Sequence, residues 1–139
     1  MSQFTHAIRD SIAWVTFDSG AMNTLSVGAI RDLEGLIAEL NAIHKKTPLK
    51  GVVLKGNRHG LGAGANIGEL MTATRAQLEE LIDAGNAQLF AIAEGPLPWV
   101  VLLDGIALGG IYELALACHA IVATERSTVG FPEIRLNIF

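Results

Sequence analysis

Three short segments combine small residues with carboxylates at spacings that suit proton chemistry. In Leu108-Gly109-Gly110-Ile111-Tyr112-Glu113-Leu114-Ala115, an apolar stretch reaches paired glycines that can open a helix. The Gly110 N–H would then stand at the positive end of the helix dipole. Glu113, three residues on, would lie about one turn along the same side. Its neighbours Leu114, Ala115, Leu116 and Ala117 are apolar, which disfavours an unpaired ionised carboxylate and suits proton transfer near neutral pH. A glutamate reaching solvent, or paired with an arginine, fits the same pattern. In Gly62-Ala63-Gly64-Ala65-Asn66-Ile67 the small residues would let backbone N–H groups approach a ligand, although a tight structural turn uses the same residues. In Gly130-Phe131-Pro132-Glu133 the proline stiffens the chain before a carboxylate, although a lone surface glutamate is the simpler use of that turn. Taken together, two amides from separate segments can hold a carbonyl oxygen as it becomes an enolate, while two carboxylates move protons beside it. One such oxyanion donor is typically worth ~2.7–4 kcal/mol, and a placed acid or base ~10²–10⁴ in rate. That machinery suits chemistry next to a thioester carbonyl.

The elements that must position these residues follow from pattern. Phe4–Arg9 and Ile12–Phe17 around Asp10-Ser11 read as a hairpin. Ser26 can cap a helix reaching about His44, with Ile30, Leu33, Ile37 and Leu40 on its buried stripe. Gly51–Leu54 reads as a strand covered on both faces, Asn57–Gly64 as a glycine-rich loop, and Asn66–Leu70 as one helical turn. Thr74 and Gln77 make a capping box for a second long helix, with Leu78, Leu81, Ile82, Leu89 and Ile92 inward and Gly95-Pro96 as its stop. Trp99–Leu103 reads as a buried strand, Gly109–Cys118 as a short helix and Ala120–Thr124 as a strand. Trp14 and Trp99 read as strand packing residues. Strands alternating with helices indicate an α/β domain.

Composition narrows the partners. The 139 residues suit one domain or part of one. Ten Lys and Arg against fourteen Asp and Glu give a net charge of −4, without the basic face a nucleic-acid binder needs. A single cysteine, Cys118, excludes an intramolecular disulfide and reads as a small buried core residue. Met-Ser-Gln-Phe-Thr-His lacks the pattern of an export signal, so a cytoplasmic setting is expected. Gly105–Ala123 approaches a membrane-spanning length, but Glu113 near its centre argues for a buried part of a soluble enzyme instead. His6, His44 and His59 have no partner at ligand spacing and read as solvated or locally bonded. Arg135 could meet a ligand phosphate or pair with Glu125.

As an ordered set, the segments resemble the crotonase (enoyl-CoA hydratase/isomerase) superfamily. Gly51-Val-Val-Leu-Lys-Gly56 with Gly64-Ala65-Asn66-Ile67 is similar to that family's first oxyanion segment. Leu97-Pro-Trp-Val-Val, Asp104-Gly-Ile-Ala-Leu-Gly-Gly110 and Glu113-Leu-Ala-Leu-Ala-Cys118 are similar to its second, and Val129-Gly-Phe-Pro-Glu133 to its third. Met22-Asn23-Thr24-Leu25 fits the turn before its first long helix. The resemblance implies an α/β spiral of repeated ββα units of the ClpP/crotonase type. It implies one domain over 1–139 whose C-terminal part lies beyond the chain. It also implies a lyase of fatty acid β-oxidation that adds water reversibly, with syn geometry, to a trans-2-enoyl-CoA.

On the same grounds, Ala65 and Gly110 would supply the oxyanion amides. Glu113 would activate water, and Glu133 would exchange a proton with the α-carbon. Ala63, Ala65, Asn66, Ile67, Gly68 and Gly110 would contact an acyl-CoA whose coenzyme A is part of the substrate. No metal or redox cofactor is implied, no nucleic-acid or membrane partner is expected, and the full-length parent would be a homo-oligomer (a trimer or a dimer of trimers). Asn66 departs from the family's usual aspartate, Ile111 and Tyr112 from smaller residues that leave a wider pocket, His119 from an aspartate and Asn137 from a glycine. Other readings are a non-catalytic fragment or scaffold of such an enzyme, or an isomerase or acyl-CoA hydrolase of the same superfamily. A dinucleotide-binding unit fits poorly: its glycines would fall late after the strand, with no acidic residue ending a second strand about twenty residues on.

Overall fold

Asp10 and Ser11, with φ of 53° and 64°, make the kind of two-residue turn whose twist matches the strands it joins. A computed structural model describes residues 2–135, beginning with the hairpin of β1 (Phe4–Arg9) and β2 (Ile12–Phe17). Its antiparallel register runs from Phe4 opposite Phe17 to Arg9 opposite Ile12, and the two phenylalanine rings stack at 4.5 Å. Ser26 Oγ accepts the Ala29 N–H and starts α1 (Val27–Lys46), which buries Leu33, Leu36, Ile37 and Leu40. Then come β3 (Gly51–Lys55), β4 (Gly60–Gly62) and α2 (Ile67–Thr72). The reciprocal Thr74–Gln77 capping box opens α3 (Arg75–Ala93). The chain continues through β5 (Trp99–Leu103), β6 (Ile106–Leu108), α4 (Gly110–Ala117), β7 (Ala120–Ala123) and β8 (Thr128–Gly130) to a 3-10 turn at Pro132–Arg135.

Two strands followed by helix is the repeating unit. From the second unit on, the first strand joins a five-stranded sheet of order β1-β2-β3-β5-β7 and the second joins a three-stranded sheet of order β4-β6-β8. Beyond the hairpin every pairing between these strands is parallel. The chain therefore winds as the ββα spiral that the resemblance implies. The small sheet departs from the sequence reading: β4 lies inside the expected Asn57–Gly64 loop, and β6 and β8 were not anticipated. At three residues each, these strands are too short to show a period.

The large sheet packs one face against the helices. Ala13, Val15, Phe17, Val52, Leu54, Trp99, Val101 and Leu103 are buried there. On the opposite face Val53 is half-buried and Trp14 is 40% exposed, so β3 is covered on one face rather than two, and Trp14 is not a packing residue of the core. His119 ties the end of α4 to β5, donating its N–H to the Trp99 carbonyl at 2.8 Å and accepting the Trp99 N–H on Nδ1 at 3.2 Å. After β5, the Thr124 hydroxyl and then Arg126 hold the Asp104 carboxyl below the usual carboxylate range.

Helix α3 shows a further correction. Ile82 is 54% exposed, not inward. The inward line instead runs through Leu78, Leu81, Gly85, Gln88 and Ile92, steps of three and four that keep one helical face. Gln88 and Ile92 are its buried members. Among the described residues no helix is long and apolar enough to cross a membrane.

Cys118 closes α4 in the core, and burial pushes its thiol up to about 12. Because the thiolate is the reactive form, Ellman's reagent at pH 8 is expected to leave the folded protein unlabelled and to titrate one thiol after denaturation. Rapid labelling of the folded chain would show that α4 does not pack as described.

Candidate active site

The three segments singled out by their chemistry meet at two glycines. A Cβ on Gly64 would lie 3.1 Å from the Leu108 carbonyl oxygen and 3.7 Å from Gly109 Cα, so the first and second segments touch through backbone. Gly109 holds φ 54° and ψ −136°, a conformation that penalises side chains, and a Cβ there would collide with Glu133 Oε1. The Gly109 N–H donates to the Gly130 carbonyl at 2.9 Å, which fastens the third segment to the second.

The first segment is held from its other side by the turn before α1. Ala63 N–H donates to the Met22 carbonyl at 3.0 Å, Leu25 N–H to Gly64 at 2.8 Å, and Asn66 N–H to Leu25 at 2.9 Å. Asn23 anchors that turn. It is 1% exposed, and its Nδ2 donates to the carbonyls of Phe17 (2.9 Å) and Leu61 (3.0 Å), while its Oδ1 accepts the Ser19 N–H. One side chain thus links the end of β2, strand β4 and the turn.

This bonding spares two amides. The Leu25 bonds use the Gly64 carbonyl and the Asn66 N–H, and the Ala65 N–H between them has no acceptor among the described residues. Gly110 is the first residue of α4, where the N–H has no intrahelical partner, and none is supplied from elsewhere among the described residues. Ala65 and Gly110 both line a cavity of about 1150 Å³, together with Ala63, Ile67, Glu113 and Glu133.

The two carboxylates flank the glycine pair. Glu133 Oε1 lies against Gly109, and its Oε2 is buried with no hydrogen-bond partner among the described residues. Glu113 Oε2 would be 3.7 Å from a Cβ on Gly110. Glu113 is exposed, so the apolar burial expected from its sequence neighbours does not occur: Leu114 and Ala115 turn into the core while Glu113 turns to the cavity. The 3-10 turn after Pro132 places Glu133, with Phe131 beside it packing on Tyr112 at 5.2 Å between ring centres.

Of the expected contact residues, Asn66 and Gly68 are outside the cavity wall. Asn66 instead caps α2, accepting the N–H groups of Gly68 and Glu69. Ile111 and Tyr112 do not line the cavity either: Ile111 is wholly buried, pointing under Gly62. Asn137 lies outside the described residues. Arg135 makes no ion pair with Glu125 among them. His44 and His59 stay local, on the Leu49 N–H and the Arg58 guanidinium. Two residues escaped the sequence reading of the site. Asn23 appears there only within a turn pattern, since its bonds join distant strands. Gln88 was passed over because it is polar, although its spacing from Gly85 and Ile92 places it on the inward face of α3.

The family model described as Enoyl-CoA hydratase/isomerase matches residues 7–139. The fatty acid oxidation complex subunit alpha of Shewanella loihica is 34% identical over 135 residues, 93% of this chain and 19% of that protein. Among solved structures, an enoyl-CoA hydratase/carnithine racemase from Magnetospirillum magneticum superposes at a TM-score of 0.91 with 23% identity, covering 100% of this chain and 52% of that one. An enoyl-CoA hydratase from Thermoplasma volcanium superposes at 0.89 with 20% identity, covering 98% and 54%. The chain spans about a fifth of the length of the Shewanella relative and about half the length of these solved structures.

Replacing Asn23 by Leu would leave the Phe17 and Leu61 carbonyls unpaired and force a branched side chain into φ 49°. A loss of about 2–4 kcal/mol is expected in urea unfolding, and a loss below about 0.5 kcal/mol would contradict the anchoring role.

Proposed function

The chain belongs to the enoyl-CoA hydratase/isomerase family, and on that premise we propose that its cavity binds an acyl-CoA thioester and adds water to a trans-2-enoyl-CoA. The observation that carries the reading is the convergence, in one cavity wall, of two amides and a buried carboxylate oxygen that have no hydrogen-bond partner among the described residues. Unpaired buried polar groups are costly; a thioester oxygen that gains charge would answer the two amides, and an α-carbon beside Glu133 would give its unpartnered oxygen a proton to exchange.

In this reading the Ala65 and Gly110 N–H groups hold the thioester oxygen. Glu113 takes a proton from water as the water oxygen bonds to the β-carbon. The electron pair of the carbon–carbon double bond moves towards the thioester oxygen as an enolate. Glu133, in its acid form, then delivers a proton to the α-carbon and the carbonyl re-forms. Once the proton held by Glu113 has returned to Glu133 through water, the sum is one water added across the double bond, with both carboxylates on the same side of it. The open position of Glu113 suits a group that must meet water, and the enclosed position of Glu133 suits one that must meet carbon. Soluble acyl-CoA is all the site requires, with coenzyme A as part of the substrate and no metal in the chemistry.

A second reading is favoured by that same exposure of Glu113: an acyl-CoA-binding scaffold in which the water-activating group is too open to work. Crotonyl-CoA separates the two. Hydration is expected to be measurable as loss of the conjugated enoyl-thioester absorbance, and Glu113→Gln and Glu133→Gln are each expected to reduce it by ~10²–10⁴ without changing acyl-CoA binding more than severalfold. Binding without hydration would establish the scaffold, and hydration indifferent to both substitutions would remove the two-glutamate mechanism.

A further inference from the structure

Gln88 is 8% exposed on the inward face of α3, among residues that make the acyl side of the cavity. Its wall there is apolar: Ile30 and Leu33 from α1, and Leu78, Leu81 and Leu89 from α3. Gly85, one turn before Gln88, sits against Ile30, so α3 approaches α1 closely at this level. The Gln88 amide makes no hydrogen bond with any described residue, and its polar atoms are not sealed from the cavity that it lines. A polar group that gives up water without gaining a bond is costly, so an apolar ligand lying over this amide would strip its water unanswered, and a ligand with a hydrogen-bonding group there would replace that water. A polar side chain in this apolar wall is therefore of use to a ligand that answers it.

The geometry points to Gln88 as a specificity-determining residue that receives a neutral hydrogen-bonding substituent on the acyl chain, a hydroxyl or a carbonyl, beyond the thioester. The inference rests on the proposed acyl-CoA site and names the acyl group that site takes. The amide offers both a donor pair and an acceptor, so it can serve a hydroxyl in either sense or donate to a carbonyl. A carboxylate is disfavoured. The cavity wall holds no lysine, arginine or histidine among the described residues, and its two ionisable groups are the glutamates Glu113 and Glu133. The other polar side chain in the wall, Asn86, is exposed and keeps its access to water.

The test is calorimetric binding of hexanoyl-CoA, its 4-, 5- and 6-hydroxy analogues and hexanedioyl-CoA to the 139-residue chain and to Gln88→Leu and Gln88→Met. Circular dichroism checks the fold of each variant. At least one hydroxylated ligand is expected to bind the parent chain about 3–10-fold more tightly than hexanoyl-CoA, the gain of one hydrogen bond. Both variants are expected to lose that preference while holding hexanoyl-CoA at least as tightly. Equal binding of all hexanoyl ligands, a preference that survives in both variants, or preferred binding of hexanedioyl-CoA would overturn the inference and leave the acyl-CoA site standing. If none of these thioesters binds, the acyl-CoA site and the inference fall together.

Discussion

A peptide N–H inside a folded chain stands without a partner only where no carbonyl is placed to accept it. That condition organises the structure around Ala65 and Gly110, whose N–H groups have no acceptor among the described residues. The Leu25 N–H on the Gly64 carbonyl and the Gly109 N–H on the Gly130 carbonyl pin the segments that carry them. The two segments then approach to backbone contact at Gly64 and Gly109, which brings the free amides to one cavity. Any side chain at Gly109 would displace Glu133. The same glycine therefore sets both the spacing of the segments and the place of one carboxylate.

The rest of the fold supplies this contact with rigid backing. Strands β2, β3 and β5 of the parallel ladder bury one face in the core they share with α1 and α4, and the small sheet carries the loops into register. Glu133 follows β8, Gly109 follows β6, and Ala65 lies just beyond β4. One three-stranded sheet thus delivers all three segments to one end. Asn23 fastens that sheet to the large one through Leu61 and Phe17. A single buried amide therefore couples the segment that carries Ala65 to the sheet that carries most of the core, and it does so with its bonding capacity filled. Gln88 is the opposite case, an amide on the cavity wall without a hydrogen bond among the described residues. The contrast separates a polar group that holds architecture from one that faces the cavity.

Much of this was legible in the sequence because it is local. The hairpin at Asp10-Ser11, the Ser26 cap and the Thr74–Gln77 box are decided by residues within a few positions of one another, and the structure places them as read. The glycine pair before Glu113 and the proline before Glu133 were legible for the same reason. What the sequence hid was tertiary. Three-residue strands have no period to detect, so the small sheet was missed although it positions the site. Apolar neighbours along the chain suggested that Glu113 is buried, but a helix turns adjacent residues to different sides, and the cavity side is open. Ile82 was placed inward by counting only apolar positions; the true stripe passes through Gly85 and Gln88, which a hydrophobicity pattern skips. Asn66 looked like a contact residue because it follows Ala65, yet its side chain is consumed in capping α2.

The central claim is that Ala65 and Gly110 act together as one oxyanion site. Acetoacetyl-CoA, whose enolate form places negative charge on the thioester oxygen, probes it directly in a titration followed by amide 15N–1H NMR. The account predicts that the Ala65 and Gly110 amide protons move downfield together and saturate at the same ligand concentration, as two donors on one oxygen must. Binding that leaves both amides in place, or moves one without the other, would contradict it.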